Sequence, residues 1–166
     1  LIAALPMPKE QYVRDFRSDS DLFAFNNLCD QSDYVVELPL VPENRPFIDG
    51  HVDSFLSEEQ RSTQYAQLGK FLASNSMFLL SLWDGDSGAD GIPQAGGTAD
   101  VVRMKLNGVF SNEITPVQLE TASGKSGIGV VEPSGVVFHI VTPRESRPIA
   151  ETQAAGDLYY YLPDED

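Results

Sequence analysis

The chain has 166 residues, 42% of them apolar, with 25 Asp and Glu against 11 Lys and Arg and a formal net charge of −14. That length predicts one domain, able to bury roughly two-thirds of its unfolded surface. The charge excludes phosphate backbones and anionic lipid as partners, and the lone Cys29 excludes an internal disulfide and a Cys-based zinc cluster.

Leu1 to Leu5 reads as a short buried strand, stopped by Pro6-Met7-Pro8. Lys9 to Phe16 follows as a helical turn or two. Ser18 or Ser20 can cap a second helix, Asp21 to Gln31, whose Leu22, Phe25, Leu28 and Cys29 share one face. Cys29 on that face is expected to be a buried, inert thiol. Tyr34 to Leu38, YVVEL, is β-branched and aromatic and reads as a second strand. Pro39 to Phe55 holds three prolines without a sustained period, so it is a loop.

Ser57-Glu58-Glu59-Gln60 has the form of a capping box and opens the longest helix, to about Ala73. Tyr65, Leu68 and Leu72 give it an apolar stripe, with Phe71 beside it. Met77 to Trp83, MFLLSLW, is an unbroken apolar strand of the kind covered on both faces. A loop rich in Gly and Asp runs from Asp84 to Ala95. Thr98 to Leu106 then reads as a helix that turns Val101 and Val102 inward and ends at Asn107-Gly108.

Residues 107–134 have little pattern and are expected to form a long loop, or a small hairpin near Gly127 to Val137 that turns at Pro133-Ser134-Gly135. Val136 to Val141, VVFHIV, is the fourth strong strand. Residues 1–145 thus read as one α/β domain. Residues 146–166 read as an extension of surface coil, in which the aromatics of Leu158 to Leu162 can pack back and Asp164 to Asp166 form an acidic tail.

Strands alternate with helices, which predicts right-handed βαβ units, a mostly parallel sheet and helices on both faces. In such sheets ligands bind at the carboxyl ends of the strands. The loops there begin at Pro6, Pro39, Asp84 and Thr142. The best candidate site is Gly96-Gly97-Thr98. Two glycines let backbone N–H groups approach a phosphate at a helix N-terminus, while Thr98 can cap the helix or donate to the ligand. The same three residues also suit a plain tight turn. Asp84 and Gly85, directly after the central strand, can meet a ribose hydroxyl or merely shape a turn. Arg144, after the fourth strand, can pair with an anion or stay an ordinary surface charge.

Other motifs carry less. Asp84, Asp86 and Asp90 have calcium-loop spacing, but Ala95 stands where an EF-hand needs Glu. Ser123-Gly124-Lys125-Ser126 lacks both the first Gly and the preceding strand of a P-loop. His139, among apolar neighbours in a strand, reads as a satisfied core histidine, and His51 has no Ser or Cys partner in view. Arg61 and Tyr65, one helical turn apart, can point at a ligand or simply pack.

Taken together, ALPMPKEQYVRDF, VVELP, QYAQLGKFLASNSMFLLSLWDG, GGTADVV and VFHIVTPR resemble the SLOG superfamily, Rossmann-like domains related to the lysine-decarboxylase-like (LOG) proteins. The resemblance spans most of Leu1 to Arg144. It implies a doubly wound α/β fold that binds a nucleotide or nucleotide-derived ligand, with Gly96, Gly97 and Thr98 at the phosphate, and Asp84, Gly85, Pro6 and Arg144 around the rest. No cofactor beyond that ligand is implied. In the LOG enzymes a catalytic Glu follows the Gly-Thr by three residues. Here that position is Val101, so a sensor-type binding domain is expected, with phosphoribohydrolase activity through Asp84 or Asp100 as the alternative and an assembly module with a vestigial site as a third reading. By analogy the resemblance also implies a homodimer. The family's first strand and its acidic-glycine motif have no counterpart before Leu1, and the chain opens inside a strand without Met, which suggests a piece or a processed product of a longer protein. With no basic start and no h-region, a cytoplasmic location is expected.

Overall fold

The computed structural model describes residues 1–46, 55–86, 94–108, 134–144 and 153–163, and the backbone of 117–121 and 124–128. The chain is a mixed α/β protein whose contacts divide it into two units, Leu1–Leu68 with Pro116–Ile128, and Gly69–Thr115 with Gly129–Asp166. No helix among the described residues is long and apolar enough to cross a membrane.

In the first unit, strand β1 (Ile2–Leu5) pairs in parallel with β2 (Tyr34–Glu37), Ile2 opposite Tyr34 and Leu5 opposite Glu37. Helix α1 (Lys9–Tyr12), a 3₁₀ turn (Val13–Asp15) and helix α2 (Asp19–Asp30) connect them. Ser18 caps α2, its hydroxyl accepting from the Asp21 amide at 3.1 Å. Cys29 is buried there as expected, but Leu28 is exposed and Leu22 and Phe25 are half-buried, so the apolar face of α2 is only partly covered.

Helix α3 (Glu58–Asn75) opens with both halves of the capping box: the Gln60 amide donates to Ser57 Oγ at 3.3 Å, and the Ser57 amide to Gln60 Oε1 at 2.8 Å. Its buried stripe is Gln64, Gln67, Phe71 and Ser74, rotated from the expected Tyr65, Leu68 and Leu72, of which Leu72 is exposed. The reason lies in hydrogen bonding. Gln64 Nε2 donates to the Pro6 carbonyl at 2.7 Å, and its Oε1 accepts from the Val41 amide at 2.7 Å and from Asn44 Nδ2 at 3.2 Å. A buried amide with every group satisfied holds the turns after β1 and β2. A hydropathy stripe, which scores Gln as outward-facing, cannot show this.

In the second unit, β3 (Leu79–Trp83) pairs in parallel with β6 (Val137–Val141), and β6 pairs antiparallel with β7 (Leu158–Tyr161). Residues beyond 145 therefore supply a strand of the sheet where surface coil was expected. Helix α4 (Thr98–Asn107) packs Val102, Ala99 and Leu106 against Trp83, Leu79 and Val137. Lys105, on the last turn of α4, is fully buried, and its ammonium donates to the Ala73 carbonyl at 3.1 Å and to that of Ser76. A cation at the C-terminal end of α3, on the Ala73 carbonyl and on that of Ser76 just past the helix, satisfies groups the helix end leaves open. Gly135 is required beside it, because a Cβ there would stand 2.6 Å from the Met77 carbonyl oxygen and 2.7 Å from Lys105 Cε.

The hairpin falls earlier than expected: β4 (Val117–Thr121) pairs antiparallel with β5 (Gly124–Ile128), and Gly135 adjoins α4 instead of turning a hairpin. Gly124-Lys125-Ser126 lies within β5, which agrees with rejecting a P-loop.

Candidate functional site

The site builds from the β3–α4–β6 crossover. The Gly135 amide, just before β6, donates to the Lys105 carbonyl at 2.8 Å, which fixes the end of α4 beside the start of β6. Helix α4 therefore begins at the carboxyl edge of β3 and β6, the edge from which Asp84 and Arg144 also emerge.

Asp84 and Arg144, 60 residues apart in sequence, meet there. Arg144 Nε stands 3.0 Å from Asp84 Oδ2, with the guanidinium half exposed and the carboxylate buried. Asp84 Oδ1 accepts from the Asp86 amide at 3.2 Å, an Asx turn that lets the chain leave the strand. Oδ2, although in charge contact with Arg144, has no hydrogen bond among the described residues. The contact is off the donor's line, so this buried oxygen keeps acceptor capacity. Gly85 follows with φ +82°, a conformation that favours glycine. The Gln153 side chain and His139 Cε1 lie beneath it, 3.3 and 3.8 Å from where a Cβ would stand.

The glycine pair does not present its amides to solvent. The Gly96 amide donates to Asp100 Oδ2 at 3.0 Å, and the Gly97 amide to the Gln94 carbonyl at 2.9 Å. Asp100 is 3% exposed, and its Oδ1 accepts from Arg103 Nη2 at 2.8 Å. The protein's own carboxylate thus sits on the helix N-terminus, where the macrodipole favours negative charge. Gly97 is the N-cap residue, without a side chain to cap the helix. The amides that follow, of Thr98 and Ala99, make no hydrogen bond among the described residues. The open donors lie one step beyond the glycines.

Val101 faces Gly69 of α3, its Cγ2 lying 2.7 Å from where a Gly69 Cβ would be. This position is committed to helix packing. His139 is fully buried: Nε2 lies 2.9 Å from the Trp83 carbonyl and Nδ1 3.2 Å from the Tyr161 hydroxyl. Because a carbonyl only accepts, Nε2 carries the proton and Tyr161 donates to Nδ1. The satisfied core histidine expected from the sequence is the one observed.

The remaining candidates divide as follows. Pro6 belongs to the first unit, where its carbonyl is held by Gln64. Arg61 forms an ion pair with Asp15, and the Tyr65 hydroxyl lies 3.5 Å from the same carboxylate. Burial, and then the neighbouring Tyr12, push the Tyr65 hydroxyl up to about 12. An open groove of about 620 Å³ runs beside them, walled by Tyr12, Phe16 and Phe25. Its rings pack on one another and Asp15 is paired with Arg61, while Arg17 and Asp21 line the rest of it. His51 and Asp90 lie outside the described residues. No group of three or more metal-ligating side chains occurs among the described residues.

Arg103 and Gln153 were not singled out from the sequence. The spacing of Asp100 and Arg103, three apart on a helix, was the one available signal. Nothing in the sequence marks Gln153. Compared with protein-family models, with curated proteins and with solved structures, the chain matches none.

Proposed function

We propose that the second unit binds a nucleotide-derived ligand at the carboxyl edge of β3 and β6, as a sensor of Rossmann-like, SLOG type. One observation carries the reading: the buried Asp84 Oδ2 stands at a parallel strand end, beside a half-exposed guanidinium, without a hydrogen bond of its own. A ribose hydroxyl is the donor it lacks. Arg144 supplies positive charge on the same edge, and the Thr98 and Ala99 amides with Arg103 receive the phosphate. Gly96 and Gly97 shape the turn that aims those amides and do not bind the phosphate themselves. Asp100 holds the anion position at this helix end, so a phosphate competes with it there. Such an exchange gives a sensor two states that the ligand distinguishes. The position that carries the catalytic Glu in the LOG enzymes is Val101, packed here on Gly69, so a hydrolase would have to use Asp84 or Asp100 instead.

Thermal unfolding in a panel of nucleoside monophosphates, NAD and cyclic nucleotides tests this. At a concentration one hundred times Kd, a true ligand adds about 2.7 kcal/mol. At least one ligand should raise Tm by several degrees, and Asp84→Ala should remove the rise while leaving the ligand-free Tm nearly unchanged. A panel without any shift overturns the reading. Release of free base from a monophosphate, lost in Asp100→Asn, would replace it with the hydrolase.

A further inference from the structure

The groove beside Tyr12 takes no part in the strand-end site. It belongs wholly to the first unit, and every residue that lines it falls between Tyr12 and Leu28. Asp21, Ala24, Phe25 and Leu28 stand at i, i+3, i+4 and i+7 of α2, so one face of that helix makes one wall. Tyr12 and Phe16, from the segment ahead of α2, make the other. The Phe16 and Phe25 rings stack with centroids 4.9 Å apart, and Tyr12 meets them edge-on at 5.5 and 5.4 Å. Such mutual packing holds the aromatic wall in one arrangement, which lowers the cost of binding. A volume of about 620 Å³ is that of a small-molecule site, where apolar walls carry a few placed polar groups.

Those polar groups gather at one end. Arg17 precedes the Ser18 cap, and Asp21 lies on the first turn of α2. No ion pair joins the two, and neither side chain has a hydrogen bond among the described residues. Asp15, the third charge on the groove, is paired with Arg61. An unpaired guanidinium and an unpaired carboxylate therefore share the end of a groove that turns apolar toward Leu28, about 10 Å further along α2.

We propose that this groove binds a free aromatic α-amino acid, with its carboxylate on Arg17, its ammonium on Asp21 and its ring along Phe16, Phe25 and Leu28. Charge selects the class. An anion sets like charge against Asp21 and meets the repulsion of a chain of net charge −14, and a cation sets like charge against Arg17. A zwitterion answers both groups and adds no net charge. Sequence spacing selects the α-amino acid: Arg17 and Asp21 are four residues apart, which suits ligand charges that lie close together. The walls select an aromatic side chain, because ring pairs gain more than their buried area alone. This inference rests on the first unit and does not depend on the nucleotide reading.

Isothermal titration with L-phenylalanine and L-tryptophan tests it, beside two analogues that each lack one charge, 3-phenylpropionate and phenethylamine. Phenylalanine should bind saturably at a single site, and each analogue at least tenfold more weakly. Arg17→Gln should erase the advantage of phenylalanine over phenethylamine, which has no carboxylate. Asp21→Asn should erase its advantage over phenylpropionate, which has no ammonium. Each variant should leave the other advantage in place, a pattern that general loss of structure would not produce. Ala24→Trp fills the groove from an exposed helix position and should abolish binding with an unchanged far-UV circular dichroism spectrum. Should that variant misfold, the two charge variants carry the test. Absence of saturable binding by either amino acid overturns the proposal. So does equal affinity for phenylalanine and its singly charged analogues, and so does binding that survives Ala24→Trp.

Discussion

The chain contains two parallel strand pairs, β1–β2 and β3–β6, and closes their carboxyl ends in opposite ways. After β1 and β2 a neutral, fully buried side chain, Gln64, reaches the Pro6 carbonyl and the Val41 amide and leaves neither unpaired. After β3 and β6 the closure is ionic: Asp84 with Arg144 and Asp100 with Arg103, each a buried carboxylate against a half-exposed guanidinium. A neutral network in the interior is indifferent to salt and expensive to break. An ion pair with one partner in water contributes little to stability and exchanges readily for another anion or donor. The contrast sets a fixed, neutral closure at the first edge against an ionic, exchangeable one at the second.

The sharpest way to break that contrast is Gln64→Leu. Leucine fills the space but strands the Val41 amide and the Pro6 carbonyl, each costing about 1–3 kcal/mol when left unpaired in the interior. The expected loss is about 3 kcal/mol in urea-induced unfolding, unchanged by salt. A loss under about 1 kcal/mol would show that water takes the place of the amide, and that the first edge is as open as the second.

At the ionic edge the expected effects on stability are smaller. Asp100→Ala removes the acceptor of the Gly96 amide and the carboxylate at the start of α4, worth about 1 kcal/mol together. Part of that loss should disappear at high salt. The same substitution clears the anion position, so the apparent affinity for inorganic phosphate should rise, as isothermal titration would report. Equal or weaker phosphate binding would mean that Asp100 does not guard the helix end.

The reach of sequence reasoning follows the same division between neutral and ionic, local and distant. Local rules recovered the Ser57–Gln60 capping box, the buried Cys29, the α2 cap as one of Ser18 and Ser20, and the existence of strand β3, because each depends on neighbours a few residues away; that β3 lies at the edge of the β3-β6-β7 sheet, and not at its centre, was beyond them. The meeting of Asp84 with Arg144 was half legible. Each residue could be placed at a strand end, but their contact depends on the β3–β6 register. Gln64 was invisible, since a hydropathy pattern cannot tell a glutamine that satisfies buried carbonyls from one facing water. β7 was read as coil whose aromatics pack back, because its pairing with β6 is a matter of tertiary contact. The glycine pair was read for its own amides. Gly96-Gly97-Thr98 opens a helix at the carboxyl edge of β3 and β6, but Asp100, three residues past the N-cap, folds back onto the Gly96 amide, a contact between side chain and backbone that spacing does not announce.

The smallest expected effect concerns Tyr65, in the first unit, whose hydroxyl is pushed up to about 12 from 10.0, first by burial and then by Tyr12. The folded state holds this proton more tightly than the unfolded chain. Its contribution to stability is therefore complete below pH 10 and is lost as pH rises from about 10 to about 12. The ring is half-buried, so solvent screens much of the interaction and the slope should be shallow. Tyr65→Phe should flatten the unfolding free energy in that alkaline window and leave it nearly unchanged at neutral pH, where the 3.5 Å approach to Asp15 is too long for a strong hydrogen bond. A large neutral-pH loss in Tyr65→Phe would instead show that Asp15 depends on this hydroxyl as well as on Arg61. The first unit would then rest on charge as much as the second, and the contrast between the two edges would narrow to Gln64 alone.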